Sequence, residues 1–119
     1  MFKTQSNVCA CMSGRREAHL AHMLPHLEVT LRTKGLYIVG ELYLLGGWQE
    51  PRTGGTENWF WHDWQGKKVN GISSSVWRYG DPNNQGGTEY ATVIGYYTFG
   101  AADHDARKTG VHLLCQFNV

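Results

Sequence analysis

Trp77-Arg78-Tyr79-Gly80-Asp81-Pro82-Asn83-Asn84, with Glu89 shortly after, gathers carboxylate and amide oxygens around one proline. A hard cation such as Ca²⁺ takes about six to eight oxygen ligands from carboxylates, amides and backbone carbonyls. A proline between two ligand residues fixes the backbone so that their side chains converge. Gly80 and the Gln85-Gly86-Gly87 run mark the stretch as a loop. Asp, Asn, Gly and Pro are also the commonest turn residues, so the string alone reads as a plain turn. Its weight comes from its surroundings: a tryptophan before it, a glutamate after it, and a second acidic cluster at Asp103-His104-Asp105.

Outward from this loop the texture is that of short strands. Asn58 to Trp64 alternates aromatic and polar residues, Asn70-Gly71 is a turn signal, and Ile72 to Trp77 is rich in serine. The long loop therefore begins near Trp64. Leu36 to Val39 and Leu42 to Leu45 are apolar runs bounded by glycines, which fit two strands or one bent strand equally. Tyr90 to Phe99 is the strongest strand signal, Val111 to Phe117 the last, and Gly100 to Gly110 the loop between them. Toward the N-terminus the pattern changes to helix. Ala10, Cys11, Ala18, Leu20, Ala21 and Leu24 give residues 10–24 a loosely amphipathic helical spacing ended by Pro25. Leu27, Val29 and Leu31 form a second short helix stopped by Gly35. Helices first, then strands with long loops, reads as an α+β domain: two short helices packed on antiparallel sheets with a long irregular loop region.

The chain of 119 residues fits one domain spanning 1–119, of a size that buries roughly 65% of its unfolded surface. Eleven basic and ten acidic residues give a net charge of +1 without charge runs, so neither a nucleic acid nor an anionic membrane is attracted by bulk field. No stretch approaches the roughly 18 apolar residues of a membrane span, and the N-terminus lacks a charged start followed by an apolar block. The expectation is a mature soluble chain.

In their order along the chain these segments resemble the C-type lectin domain. That family's long loop carries a tryptophan, then Gly-Glu-Pro-Asn-Asn, then a glutamate shortly before the next strand; here the words are Trp77, Gly80-Asp81-Pro82-Asn83-Asn84 and Glu89. Cys11 to Leu20 with Glu28 to Leu31 is similar to its two helices. Tyr43-Leu44-Leu45-Gly46-Gly47 is similar to its Trp-Ile-Gly-Leu strand, Trp59-Phe60-Trp61 to its Trp-x-Trp strand, and Leu113-Leu114-Cys115-Gln116-Phe117 to its closing strand. The resemblance covers nearly the whole chain.

The resemblance implies a secreted, calcium-dependent carbohydrate-binding domain. Its Ca²⁺ ligands carry over to Asp81, Asn83, Glu89 and the Asp103-His104-Asp105 segment, with Asp103 first and Asp105 second. The sugar-binding set is then Asp81, Asn83, Glu89 and Asp103, in which two adjacent sugar hydroxyls complete the calcium shell, the carboxylates accept and the Asn83 amide donates. An acidic residue, proline and an amide in that order go with mannose, glucose, fucose or N-acetylglucosamine diols, so glycans or glycoproteins are the implied partners. Aspartate at 81 is a methylene shorter than the family's glutamate, and three or four carboxylates exceed what one cation neutralises. The resemblance also implies a Cys11–Cys115 disulfide closing a loop of about 100 residues, worth roughly 4–5 kcal/mol in the chain-entropy model. The family's second disulfide is missing, one of its positions holding Tyr90. Cys9 is open to three fates: a free thiol, an inter-chain bridge in a homo-oligomer, or an alternative partner for Cys115.

Competing readings come from other residues. A C-type-lectin-like domain that binds protein without calcium, or serves as a structural component of an extracellular assembly, shares the same fold. His19, His22 and His26 at i, i+3 and i+7 share one face of a helix and suggest zinc, but Pro25 interrupts that geometry and no acidic or cysteine ligand accompanies them. Trp48, Trp64, Trp77, Tyr96 and Tyr97 are candidate platforms for a sugar ring, whereas Trp59 and Trp61 alternate like core residues. Ser73-Ser74-Ser75 lies in no Gly-x-Ser-x-Gly elbow, and the chain is not read as an enzyme.

Overall fold

The structure, a computed structural model, describes residues 18–23, 26–53, 55–83, 89–97, 99–105 and 110–116. Its elements in chain order are β1 (His19–Leu20), α1 (Leu27–Thr33), β2 (Leu42–Gln49), β3 (Trp59–His62), β4 (Lys68–Gly71), a 3₁₀ turn (Ser74–Val76), β5 (Ala91–Ile94), β6 (Ala102–His104), β7 (Val111–Leu113) and β8 (Cys115–Gln116). The larger sheet runs β4-β3-β2-β5-β6, all antiparallel, and β7 joins β2 in parallel. β1 and β8 form a separate two-stranded sheet, with His19 opposite Gln116 and Leu20 opposite Cys115. The α+β class and antiparallel sheets agree with the sequence reading.

β2 is the hub. Its first half pairs with β7 and β5, its second half with β3 and β5, and the register shifts between Leu44 and Trp48 across Gly46-Gly47. Gly46 is required there. Its amide donates to the Ala21 carbonyl at 2.8 Å, and a Cβ at this position would lie 2.3 Å from the Leu20 carbonyl oxygen. On one side of β2, Leu44 packs with Ala18, Leu20, Trp48, Ala91, Val93 and Ala102; on the other, Leu45 packs with Met23, Tyr37, Trp61, Val76 and Ile94.

Several local expectations are corrected. Residues 18–23, read as the end of the first helix, are extended, because Leu20 is wholly buried and its backbone pairs with the distant β8; residues 10–17 and 24–25 lie outside the described set. Leu36 to Val39 is not a strand, and its Leu36 and Ile38 side chains are exposed. Asn70-Gly71 is inside β4. The hairpin turn lies earlier, where the Asp63 carboxylate accepts from the Gln65 and Lys67 amides. The interval read as a loop from Gly100 contains β6, all of it buried. Trp59 and Trp61 are both core, and so is Trp48, whose ring stacks on His62 at 3.5 Å.

Helix α1 is fastened to the rest by a buried ionic network. Glu28, 3% exposed, accepts from Arg32 Nη2 at 3.0 Å, from the Tyr37 hydroxyl at 2.8 Å and from the Gly100 amide at 2.7 Å. Arg32 also donates to the carbonyls of Tyr96 and Tyr97 and to the Tyr37 hydroxyl. Burial pushes the Tyr37 phenol up to about 12, so it remains a donor to Glu28.

The histidines do not share a helical face, since the chain is extended at His19 and His22, and His26 lies apart at the start of α1. The His19 and His22 rings meet at 4.5 Å, His22 Nε2 donates to the His62 carbonyl at 2.6 Å, and His62 Nε2 donates to Glu50 at 2.8 Å. Burial lowers both His22 and His62 below the ordinary 6.5, more than their acceptors raise them. The unfolded chain therefore takes up protons first as pH falls. The stability contributed by the neutral rings is complete above pH 6.5 and is lost as pH drops through the depressed folded values. Thermal melts between pH 7.5 and 5 are expected to show a falling Tm that His62→Phe partly flattens; an unchanged Tm over that range would exclude this role.

Candidate functional site

The Trp77–Asn83 segment runs along the edge that leads into β6. The Ala101 amide donates to the Val76 carbonyl and the Arg78 amide to the Ala101 carbonyl, both at 2.8 Å. Gly100, at φ 116°, permits this approach, because a Cβ there would lie 2.5 Å from the Arg78 nitrogen. The chain then reverses over Arg78-Tyr79-Gly80-Asp81, closed by the Asp81 amide on the Arg78 carbonyl at 3.0 Å. Gly80, at φ 86°, supplies the positive φ that the third position of such a turn takes. Tyr79 at its tip is fully exposed. The Asp81–Pro82 peptide is cis.

Asn83 is where this segment docks. Its backbone amide faces both oxygens of Asp103 on β6, at 3.1 and 3.0 Å. Asp103 is 3% exposed and stands opposite Thr92 of β5. The structure thus brings two of the sequence-derived site residues, Asn83 and Asp103, into contact across 20 positions. Asp105 is also buried, two residues beyond Asp103 on the same strand line. Glu89 is half-buried just ahead of β5.

Tyr96 lies against the Arg78 guanidinium. Burial pushes its phenol up; Arg78 opposes the shift, while Glu89, Asp81 and Asp103 add to it. Arg78 is the residue that sequence reasoning missed. Its Nε donates to Asp81 Oδ2 at 2.8 Å, its guanidinium carbon lies 3.9 Å from the Tyr96 ring centre, and the Asp81 side chain is 4% exposed. The only sequence signal was the three-residue spacing of Arg78 and Asp81 across Gly80.

These oxygen donors are the chemistry that Ca²⁺ prefers. Among the described residues, however, no three His, Cys, Asp or Glu side chains converge as metal ligands. Asp81 faces Arg78, and Asp103 faces the Asn83 amide. The donor types suit a hard cation, but their arrangement here does not form a metal-holding group. Cys115 is disulfide-bonded; Cys9 and Cys11 lie outside the described residues.

No protein-family model matches the sequence, and neither does any curated protein. Solved structures do match. The C-type lectin domain of murine dendritic cell inhibitory receptor 2, in complex with N-glycan, superposes with a TM-score of 0.62 at 21% identity, over 96% of this chain and 78% of that one. The C-type lectin CEL-I from Cucumaria echinata gives 0.66 at 15% identity, over 96% and 80%. The mouse scavenger receptor C-type lectin carbohydrate-recognition domain gives 0.62 at 18%, over 98% and 82%. The fold is that of the C-type lectin domain. At these identities the likeness concerns the fold alone. Within this fold the Asp81–Asn83 segment meets Asp103 of β6 through the Asn83 amide, and Glu89 precedes β5 in the chain. No helix among the described residues is long and apolar enough to cross a membrane.

Proposed function

We propose that the chain is a secreted, non-enzymatic carbohydrate-binding domain that takes mannose-type diols, with calcium, on the face formed by Asp81, Asn83, Glu89 and Asp103. The observation that carries this reading is the docking of Asn83 on Asp103, which sets an acid-proline-amide triplet against a buried acidic strand in the C-type lectin fold. Two similar structures support it by what they are: one domain was solved with an N-glycan, and another is a carbohydrate-recognition domain.

In this reading Asp81, Glu89 and Asp103 accept hydrogen bonds from adjacent sugar hydroxyls and Asn83 donates through its side-chain amide. Bound calcium would supply a positive centre that those hydroxyls can coordinate. Such a face is shallow, so one sugar binds weakly and several domains at high effective concentration give useful avidity. On a mannose-bearing resin, Asn83→Asp is expected to reduce retention by removing the donor, and Glu89→Gln by removing a charged calcium ligand. Retention unchanged in both variants would place the site elsewhere.

A second reading, calcium-independent protein binding, is favoured by the exposed Leu36, Ile38, Tyr97 and Phe99 side chains. Tyr97 lies beside Gly40, and Arg32 covers the Phe99 ring at 4.2 Å. Calcium dependence separates the two readings.

A further inference from the structure

We propose that a cleft between α1 and the Ser73–Trp77 segment is a second saccharide subsite, independent of any metal, that takes the hydroxymethyl edge of a neutral sugar. The inference rests on the carbohydrate-binding reading above and goes beyond it, because the cleft shares no residue with the face formed by Asp81, Asn83, Glu89 and Asp103. The cleft has a volume of about 90 Å³, and Met23, Glu28, Ser75, Trp77, Phe99 and Gly100 line it. Trp77 is one of the sugar platforms that the sequence suggests. Trp48, another of them, is spent in the core, whereas Trp77 is half-buried and held edge-on against Trp59 at 5.0 Å. Ser75 and Phe99 are exposed, so the cleft is open to solvent on their side.

The lining decides the ligand class. Glu28 Oε2 accepts from Arg32 and from the Tyr37 hydroxyl, whereas Oε1 accepts from the Gly100 amide alone. An ionised carboxylate offers about four acceptor positions, so Oε1 retains one for a hydroxyl donor. Ser75 adds a hydroxyl that bonds Ser73 Oγ at 2.9 Å and can turn to a ligand. Trp77 and Phe99 supply aromatic surface beside these few polar groups, the mixture that small-molecule sites use, and a sugar edge presents C–H and O–H groups to match both. Charge excludes the alternatives. The Glu28 carboxylate is paired with Arg32 at 3.0 Å, and the same guanidinium covers the Phe99 ring at 4.2 Å. The pair is neutral in sum, so the cleft attracts neither an anion nor a cation. Its volume holds a few water-sized groups, which fits a hydroxymethyl arm with the adjoining ring edge and not an enclosed pyranose.

The test is an NMR titration of the ¹⁵N-labelled chain with methyl β-D-glucoside in excess chelator, following backbone amides and the indole N–H signals of the five tryptophans, with Trp77→Phe assigning its own. The Trp77 indole and the Ser75 and Gly100 amides are expected to shift saturably. Methyl β-D-xyloside, the same ring without the hydroxymethyl group, is expected to leave them unmoved. Ser75→Ala alters an exposed side chain and leaves the core intact; it should raise the midpoint about fivefold, the effect of one ordinary hydrogen bond. Trp77→Ala should abolish saturation. Unmoved signals in chelator, or equal shifts with the xyloside, overturn the subsite. So does a midpoint that neither substitution changes. A repeat in millimolar Ca²⁺ separates this proposal from the calcium-dependent reading: shifts at Asn83 and Asp103 without shifts at Trp77 overturn the subsite alone, and shifts at neither place overturn both.

Discussion

Glu28→Ala is expected to cost about 3–5 kcal/mol, the range for breaking a buried ion pair by removing one partner. Three donors lose their acceptor at once: Arg32, the Tyr37 hydroxyl and the Gly100 amide. None is well placed to reach water, because Tyr37 is buried and Arg32 is held between the Tyr96 and Tyr97 carbonyls and the Phe99 ring. For a domain of this size the loss corresponds to a fall in Tm of about 10–20 °C. Glu28→Gln keeps the shape and an acceptor, and should lose about half as much. The effect reaches the proposed binding face as well, since Gly100 and Ala101 carry the strand edge on which Arg78 is laced. Chemical denaturation of the two variants checks this; a change below about 1 kcal/mol in Glu28→Ala would mean that the network contributes nothing net.

Asp103→Ala is expected to abolish retention on mannose resin and to lower stability by about 1–3 kcal/mol, the penalty of leaving a buried donor without its acceptor. Both oxygens of this carboxylate face the Asn83 amide, so the substitution releases the docked turn and removes a proposed calcium ligand together. Asp103→Asn separates the two effects. It preserves an acceptor for Asn83 and should keep most of the stability while still losing retention. Retention by Asp103→Ala at the wild-type level would remove Asp103 from the site.

The fold was legible where a local pattern and the tertiary demand agree. Trp59 and Trp61 alternate along β3 and are both buried, and Leu44-Leu45 sends one side chain into each half of the core. It was illegible where a distant partner decides. Ala18, Leu20 and Ala21 have helical spacing, yet Leu20 is a strand residue because Cys115 lies beside it across the sheet. β6 was hidden among small residues, since Ala101 and Ala102 carry little β signal but fit the tight buried edge. The Asp63 turn was present in the sequence as an aspartate three residues before Gly66, and the Asn70-Gly71 pair masked it. The order of motifs named both Asn83 and Asp103, which the structure brings into contact. It did not name Arg78, because a salt bridge across a glycine turn looks like any exposed pair until the burial of Asp81 is known.

Retention of the wild-type chain on mannose-bearing resin, in millimolar Ca²⁺ and again in excess chelator, tests the central proposal most directly. The account predicts retention with calcium and its loss on chelation. Absence of retention in both conditions, with a thermal melt that calcium leaves unmoved, would contradict it.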